Sequence, residues 1–310
     1  MKRLHDVTII IRSVGERTEE LCSKLIFRQG IPEENVFVIH ERPFSKAMRV
    51  GYQLGIDREL PWTYCVDADV LLKQNAVSEM LEEITKLPGS TLGISGELLD
   101  KLRGKKHTAG NHLFRTKHLP NLIDEIKPYK TEDIRPESTA IKKLGKQGLR
   151  FFKNVSFIGL HDFEQHYHDI ARKAFTHSKK HSIHLTEYVH FWSNHSQRDH
   201  DFKAALYGLS KGLFHFEEVK INADNFASLY DEVLENFGSK SENISDFAIQ
   251  SFDDIEKAMT NRDNYFEPGD ELQYKYDKDF RTTFNHLSYP KLLKRFGGKI
   301  LADIKKKIKR

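Results

Sequence analysis

Two aspartates that follow an apolar segment are the first candidates for chemistry. The segment "TYCVDADVLL" (63–72) places Asp67 and Asp69 one residue apart in an otherwise apolar run. Carboxylates held close together repel each other, and a divalent cation relieves that repulsion. Oxygen ligands suit Mg²⁺ or Mn²⁺, and Mg²⁺ typically takes one or two carboxylates together with substrate phosphates. The pair therefore indicates a metal site, although two loop aspartates also suit a helix cap or a solvated turn.

The elements before and after this pair determine where it lies. Strand patterns at 7–11, 35–40 and 62–66 alternate with helical patterns at 18–27, 45–56 and 76–87. This alternation predicts an α/β fold with a doubly wound, mainly parallel sheet. Such sheets bind ligands at the carboxyl ends of their strands, which is where Asp67 and Asp69 are expected.

The pattern is less regular after Pro88. It predicts further strands at 91–95, 111–115 and 151–160, and helices at 137–148, 161–181 and about 200–215. The rest is polar with scattered aromatic residues, and we expect a C-terminal helical region there. The predicted division is a catalytic domain over 1–215, a helical accessory region over 216–288 and a basic amphipathic tail over 289–310.

The segment "WTYCVDADVLL" resembles the DxD segment of nucleotide-sugar glycosyltransferases of the GT-A fold, especially the inverting family-2-like enzymes. The resemblance covers roughly residues 7–161. It implies a Mn²⁺ or Mg²⁺ ion that bridges the diphosphate of a nucleotide-diphosphate-sugar donor. It also implies that Asp67 lies near the ribose and the metal, and that Asp69 is the principal metal ligand. The metal would act as a Lewis acid on the leaving nucleoside diphosphate.

Two further segments are similar to the donor-binding parts of this family. "FSKAMRVGYQLGI" places Lys46 and Arg49 one helical turn apart, where they could meet the donor's phosphates or nucleotide. A solvated amphipathic helix is the alternative. The loop "RSVGERTEE" corresponds to the part that wraps the nucleotide base, and it offers Arg12, Ser13, Glu16 and Arg17 as donor-binding residues. It lacks the family's usual Pro–aromatic–Asn pattern, so the nucleotide stays open, and a helix-capping turn is the alternative.

The resemblance also points to a catalytic base, which inverting transfer needs to take the proton of the acceptor hydroxyl. In the family this residue ends an acidic pair and is followed by a glycine about eleven residues later. Glu132-Asp133 is the literal acidic pair, but Glu137 has Gly148 at the expected spacing. The spacing to the following glycine therefore favours Glu137 as the base, although a glutamate after Pro136 also suits a helix N-terminus.

Polar residues at a later strand end complete the predicted site. The segment "SFIGLHDFEQHYHD" places His161 and Asp162 after an apolar strand. The family often adds a late histidine as a metal ligand, which favours His161 and, because imidazole suits it better, Mn²⁺. An ordinary hydrogen-bonded histidine is the alternative. Asp162 is expected to be the N-cap of the following helix, and Gly110, Asn111 and His112 are expected on the acceptor side.

Charge is distributed unevenly along the 310 residues. The net charge is +4, and residues 291–310 carry nine Lys and Arg with a single Asp, so the remainder is acidic. A nucleic-acid partner is therefore not expected. A basic amphipathic tail is typical of segments that bind an anionic membrane surface, at roughly 1 kcal/mol per basic residue. A frayed tail, or one packed on its own domain, is the alternative.

The predicted function is that of a metal-dependent, hexosyltransferase-like glycosyltransferase with a saccharide or lipid-linked acceptor. Inversion and a part in cell-envelope polysaccharide or glycolipid synthesis are expected with it. No run of 18 apolar residues occurs and only two cysteines are present, so we expect a cytoplasmic protein, peripheral at the inner membrane face. A nucleotidyltransferase is the enzymatic alternative, but "RSVGERT" lacks its "GxGTR"-like loop. The other alternative is a non-catalytic protein that binds a nucleotide or a sugar.

Overall fold

The computed structural model describes residues 4–108, 110–126, 135–180, 184–215, 226–240 and 244. The strands are β1 (Val7–Arg12), β2 (Val36–Ile39), β3 (Trp62–Asp67), β4 (Val70–Leu72), β5 (Thr91–Asp100), β6 (Lys105–His107), β7 (Asn111–Arg115) and β8 (Arg150–His161). The helices are α1 (Glu19–Phe27), α2 (Phe44–Asp57), α3 (Ala76–Lys86), α4 (Leu119–Glu125), α5 (Pro136–Lys146), α6 (Tyr167–Lys180), α7 (Leu185–His195), α8 (His200–Leu213) and α9 (Ala227–Phe237).

These strands form one mixed sheet in the order β2-β1-β3-β7-β5-β8-β4, with β6 paired to β5. Strands β1, β2, β3, β5 and β8 run in one direction, and β4, β6 and β7 run against them. Helices flank the sheet. The predicted α/β class with a mainly parallel sheet is therefore confirmed.

The first strand shows why the sheet needs helices on both faces. Every residue of β1 is buried, as expected for a β-branched run inside a parallel sheet. Because side chains alternate along a strand, Ile9 and Ile11 pack in a core with α1 and α3, whereas Ile10 packs in a second core with α2, α4 and α5. The sheet is thus doubly wound.

Strand register brings polar strand ends together. Parallel pairing of β1 with β3 sets Arg12 beside Asp67, and parallel pairing of β5 with β8 sets Asp100 beside His161. Strand β4 turns back antiparallel to β8, which pairs Val70 with His161. The turn between β3 and β4 is thereby pressed against the end of β8, and Asp69 lies within it.

A layer of helices follows β8. Helix α6 packs closely on α8, where a Cβ atom on Gly208 would lie 2.0 Å from the backbone oxygen of Ala171. Only glycine permits this approach of the two helices. Helix α7, which the sequence pattern did not predict, is held by Trp192, whose buried Nε1 donates to the oxygen of Leu102 at 2.6 Å. These contacts hold α6 against α8, and α7 against the turn between β5 and β6.

One helix boundary differs from the prediction. Helix α6 begins at Tyr167 rather than near residue 161, and Asp162 has φ 63°, so it is not the N-cap of that helix. Helix α9 lies in the described part of the predicted accessory region 216–288, and the basic tail 289–310 lies outside the described residues. Within the described part of the chain, the helices do not combine the length and apolar character needed to span a membrane.

Candidate active site

The turn after β3 and the end of β8 bring three possible metal ligands together. One ligand atom from each of Asp69, His161 and Asp162 lies within 4.8 Å of the others. His161 Nε2 is 3.5 Å from Asp69 Oδ1, and the backbone N–H of Asp162 donates to the backbone oxygen of Asp69 at 3.2 Å. Asp69 and Asp162 are only 5 % and 1 % exposed. Such burial of two carboxylates requires neutralisation by cations.

His161 is oriented by a carboxylate on the neighbouring strand. Its Nδ1 lies 3.0 Å from Asp100 Oδ2, which leaves Nε2 directed at Asp69. Burial lowers the pKa of His161, but Asp162, Asp69 and Asp100 outweigh that effect and raise it to about 10. The imidazole is therefore protonated at neutral pH. A metal ion at Nε2 would have to displace that proton.

A lysine from α6 is the second cation of this cluster. Lys173 Nζ donates to Asp69 Oδ2 and to Asp162 Oδ1. Burial raises the pKa of Asp69, but Lys173 and His161 outweigh it and bring it to about 2. Lys173 is thus the ion-pair partner of two of the three possible ligands.

The donor set is compatible with a divalent cation. Oxygen, nitrogen and oxygen ligands are available from three buried residues, a combination that suits Mn²⁺ better than Mg²⁺. Asp69 Oδ1 is buried and accepts no hydrogen bond within the described structure, so it retains a lone pair for a ligand. Asp100 supplies the carboxylate–histidine contact that commonly orients a metal-binding imidazole.

Asp67 lies beside this group but has a different partner. Arg12 Nε donates to Asp67 Oδ1 at 2.7 Å, and the backbone N–H of Asp67 donates to the oxygen of Gly110 at 2.7 Å. Burial raises the pKa of Asp67, and Arg12 counteracts part of that rise. The metal-ligand group therefore contains Asp162 where the sequence predicted Asp67, whose role at the metal stays a prediction.

Glu137 belongs to the same network through Arg12. Its Oε1 accepts from Arg12 Nη1 at 3.0 Å and from Tyr52 Oη at 2.6 Å, and its Oε2 lies 3.0 Å from His112 Nδ1. Burial alone would raise the pKa of Glu137, but Arg12 and His112 hold it well below its usual range. Oε1 already accepts two hydrogen bonds, and so low a pKa makes Glu137 a weak base. The role of Glu137 as base stays a prediction.

The loop after β1 is partly organised by its own hydrogen bonds. Ser13 Oγ donates to Glu16 Oε2 at 2.8 Å, and the backbone N–H of Val14 donates to the same oxygen at 2.7 Å. Arg17 Nη1 lies 3.1 Å from Glu164 Oε2 in the turn after β8. Burial and the charge of Asp69 raise the pKa of Glu16. Glu16 therefore lies close enough to Asp69 for their charges to interact. Arg17 joins the loop to the turn after β8, and Ser13 shapes the loop itself.

The predicted donor residues on α2 have other partners. Arg49 Nη1 donates to the oxygens of Ile123 and Ile126 at 2.7 and 2.9 Å, at the end of α4. Lys46 Nζ is 2.5 Å from Glu41 Oε2. These contacts join α2 to its neighbours and do not bring either residue to the metal-ligand group, so their roles in donor binding stay predictions.

Sequence reasoning missed three members of the site. Asp100 ends a strand as Asp67 does, and it would have been found if the strand predicted at 91–95 had been extended through "GELLD". Asp162 was considered, but only as a helix cap. Lys173 lies within a polar helix and carries no local signal, because its position depends on how α6 packs against the sheet.

No protein-family model matches this chain, and a search of curated proteins found no match. Similarity was found to solved structures. One is a glycosyltransferase involved in the glycosylation of the major capsid of PBCV-1, with 12 % identity and a TM-score of 0.35 over 48 % of this chain and 81 % of that chain. Another is the mannosyltransferase PcManGT from Pyrobaculum calidifontis in complex with GDP-Man and Mn²⁺, with 12 % identity and a TM-score of 0.40 over 90 % of this chain and 87 % of that chain.

A third similar structure is A197 from STIV, with 11 % identity and a TM-score of 0.33 over 43 % of this chain and 77 % of that chain. Similarity at this level is a partial overlap of backbone folds. Because one fold can host many activities, function has to be argued from the residues of the site.

Proposed function

We propose that this protein is a metal-dependent glycosyltransferase that moves a sugar from a nucleotide-diphosphate-sugar to a hydroxyl acceptor. The observation that carries the proposal is the convergence of Asp69, His161 and Asp162 at the carboxyl edge of the sheet. This edge is where α/β sheets bind nucleotides. The three residues offer few ligands, so part of the coordination is left for phosphate oxygens.

Each residue of the site has a distinct part in this proposal. Asp69, His161 and Asp162 would hold the divalent cation, and Asp100 would keep the His161 ring in place through Nδ1. When bound, the cation would supply Lewis-acid neutralisation of the leaving nucleoside diphosphate. Asp67, fixed by Arg12, would face the ribose side of the donor.

The loop from Ser13 to Arg17 is our proposed contact for the nucleotide. Burial and the charge of Asp69 raise the pKa of Glu16, and Arg17 forms an ion pair with Glu164 in the turn after β8. Glu16 offers a carboxylate to ribose hydroxyls. The departure of this loop from the usual family pattern leaves the base of the nucleotide open.

The finer parts of the proposal rest on sequence. Inversion of configuration follows from the DxD resemblance and from the register of Glu137 with Gly148. A peripheral position at an anionic membrane, with a saccharide or lipid-linked acceptor of the cell envelope, follows from the basic segment 291–310. The presence of only two cysteines, too few for a disulfide framework, favours the cytoplasm as the compartment.

A donor panel tests the proposal. UDP-, GDP-, TDP- and CMP-sugars would be added with Mn²⁺ or Mg²⁺, and both the thermal shift and the slow hydrolysis of the donor measured. We expect one nucleotide class to raise the melting temperature only with metal. The variant Asp69→Asn is expected to lose at least about 100-fold in metal-dependent hydrolysis, because it removes a ligand.

The matched control is Asp124→Asn, an exposed aspartate on α4, which should behave as the wild type. The proposal is wrong if no nucleotide-sugar stabilises the wild-type protein. It is equally wrong if Asp69→Asn hydrolyses the donor as fast as the control variant does.

A further inference from the structure

Lys173 places a positive charge where the proposed metal would bind. It lies in the middle of α6, its side chain is 18 % exposed, and its Nζ contacts one oxygen of Asp69 and one oxygen of Asp162. These two carboxylates are also two of the three possible metal ligands. The same pair of acids is therefore offered to a resident ammonium group and to a divalent cation.

We propose that Lys173 is a built-in competitor of the metal, which a divalent cation has to displace from Asp69 and Asp162. The inference rests on the proposed function, because it concerns the metal site of the same enzyme. If Lys173 competes with the metal, the metal affinity depends on this residue of α6 as well as on the metal ligands.

Electrostatics is the first reason for this competition. A divalent cation bound to Asp69 and Asp162 would lie within a few ångströms of the Lys173 ammonium if that group stayed in place. Like charges at this separation repel strongly, and a buried site is poorly screened by water and salt. The two cations are therefore expected to exclude each other from the shared carboxylates.

The shape of the lysine side chain makes displacement feasible. Its charge is a compact ammonium on a flexible four-carbon stem, so it can turn away while the backbone of α6 stays in position. Helix α6 itself is fixed by its close contact with α8 at Gly208. A displaced ammonium next to the metal would be able to meet an anionic ligand of that metal, such as a diphosphate.

Mn²⁺ binding without nucleotide tests the inference. The dissociation constant of Mn²⁺ would be measured by electron paramagnetic resonance for the wild type, Lys173→Met and Lys179→Met. Lys179 is the matched control, because it lies on the same helix and donates to the backbone oxygen of His215. We expect Lys173→Met to bind Mn²⁺ at least about tenfold more tightly than the wild type, since the competing charge is gone.

Lys179→Met should bind Mn²⁺ as the wild type does. Equal Mn²⁺ affinity in Lys173→Met and the wild type would overturn the inference. That result would leave the transferase proposal standing, because donor turnover is measured separately. Conversely, an absence of turnover with every nucleotide-sugar would not alter the outcome of this binding test.

A measurement on the wild type covers the case in which Lys173→Met does not fold. Acetylation of individual lysines by an amine reagent would be followed by peptide mass spectrometry with and without Mn²⁺. Displacement predicts that Mn²⁺ increases acetylation of Lys173 several-fold while Lys179 reacts unchanged. Equal acetylation of Lys173 with and without Mn²⁺ would contradict the inference.

Discussion

At the scale of single residues, Arg12 links Asp67, next to the possible metal ligands, with Glu137, the predicted base. Its guanidinium donates through Nε to Asp67 and through Nη1 to Glu137, and its side chain is only 3 % exposed. The fork of an arginine suits two carboxylates at once, whereas a lysine would contact them as a point charge. Arg12 therefore fixes the position of Asp67 relative to the metal-ligand group.

Glu137 gives this network a pH dependence. A carboxylate whose pKa is lowered in the folded state stabilises the protein above its unfolded pKa, and this contribution is lost as the pH falls. The pKa of Glu137 is held well below the usual value by Arg12 and His112. We expect the free energy of unfolding of Glu137→Gln at pH 7 to be about 2 kcal/mol lower than that of the wild type.

The difference between Glu137→Gln and the wild type should shrink below the ordinary glutamate pKa of about 4.3, by roughly 1.4 kcal/mol per pH unit. Urea denaturation between pH 7 and pH 3 measures it. Glu82→Gln, an exposed glutamate on α3, is the control and should follow the wild type throughout. A constant difference across this range would show that the pKa of Glu137 is not lowered.

At the scale of secondary-structure elements, the turn that precedes β7 packs against Asp67. Gly110 has φ 61°, and a Cβ atom there would lie 2.9 Å from Asp67 Oδ2. Asp67 is held by Arg12 and cannot move away freely. The glycine is therefore required by both the backbone conformation and the neighbouring carboxylate.

Gly110→Ala tests this account with Gly148→Ala as its matched control. Gly148 also has positive φ, at 96°, but a Cβ atom there meets nothing within 4 Å of the described structure. We expect Gly148→Ala to lose about 1–2 kcal/mol of unfolding free energy through backbone strain alone. Gly110→Ala should lose at least about 1 kcal/mol more, because it also displaces Asp67. Urea denaturation measures both losses of unfolding free energy. Equal losses would mean that Asp67 can move away from the added Cβ atom without destabilising the protein.

Elements with regular apolar patterns could be predicted from the sequence, and others could not. Strands β1 and β3 and helices α2 and α3 lie close to their predicted positions because each buries a continuous run or a clear helical face. Helix α7 was missed because "LTEYVHFWSNH" is rich in β-branched and aromatic residues of modest helix propensity. Tertiary burial of Trp192 outweighs that local preference.

The residues of the candidate site also fall into those that the sequence pattern predicts and those that it does not. Asp69 and His161 could be predicted because each follows an apolar strand, and strand ends meet at one edge of such a sheet. Asp162 was interpreted as a helix cap, since aspartate before a helix usually is one. It instead has a positive φ and contacts Lys173, a residue that reaches it only through the packing of α6 in the complete fold.

At the scale of the whole molecule, the site lies between two layers. The sheet contributes Asp100 and His161 from strand ends and Asp69 from the turn between β3 and β4, and the helical layer contributes Lys173 from α6. A change in the position of α6 would therefore alter the proposed metal site without altering its candidate ligands. This arrangement couples the region that follows the sheet to the proposed chemistry.

The central claim is that Asp69, His161 and Asp162 hold the cation of a nucleotide-sugar site. Anomalous diffraction at the manganese edge, on crystals soaked with Mn²⁺ and the nucleoside diphosphate selected by the donor panel, tests it most directly. The account predicts one strong peak at roughly 2.0–2.3 Å from His161 Nε2 and an oxygen of Asp69, with phosphate oxygens completing the coordination. A peak bound elsewhere on the chain, or no peak beside these residues, would contradict it.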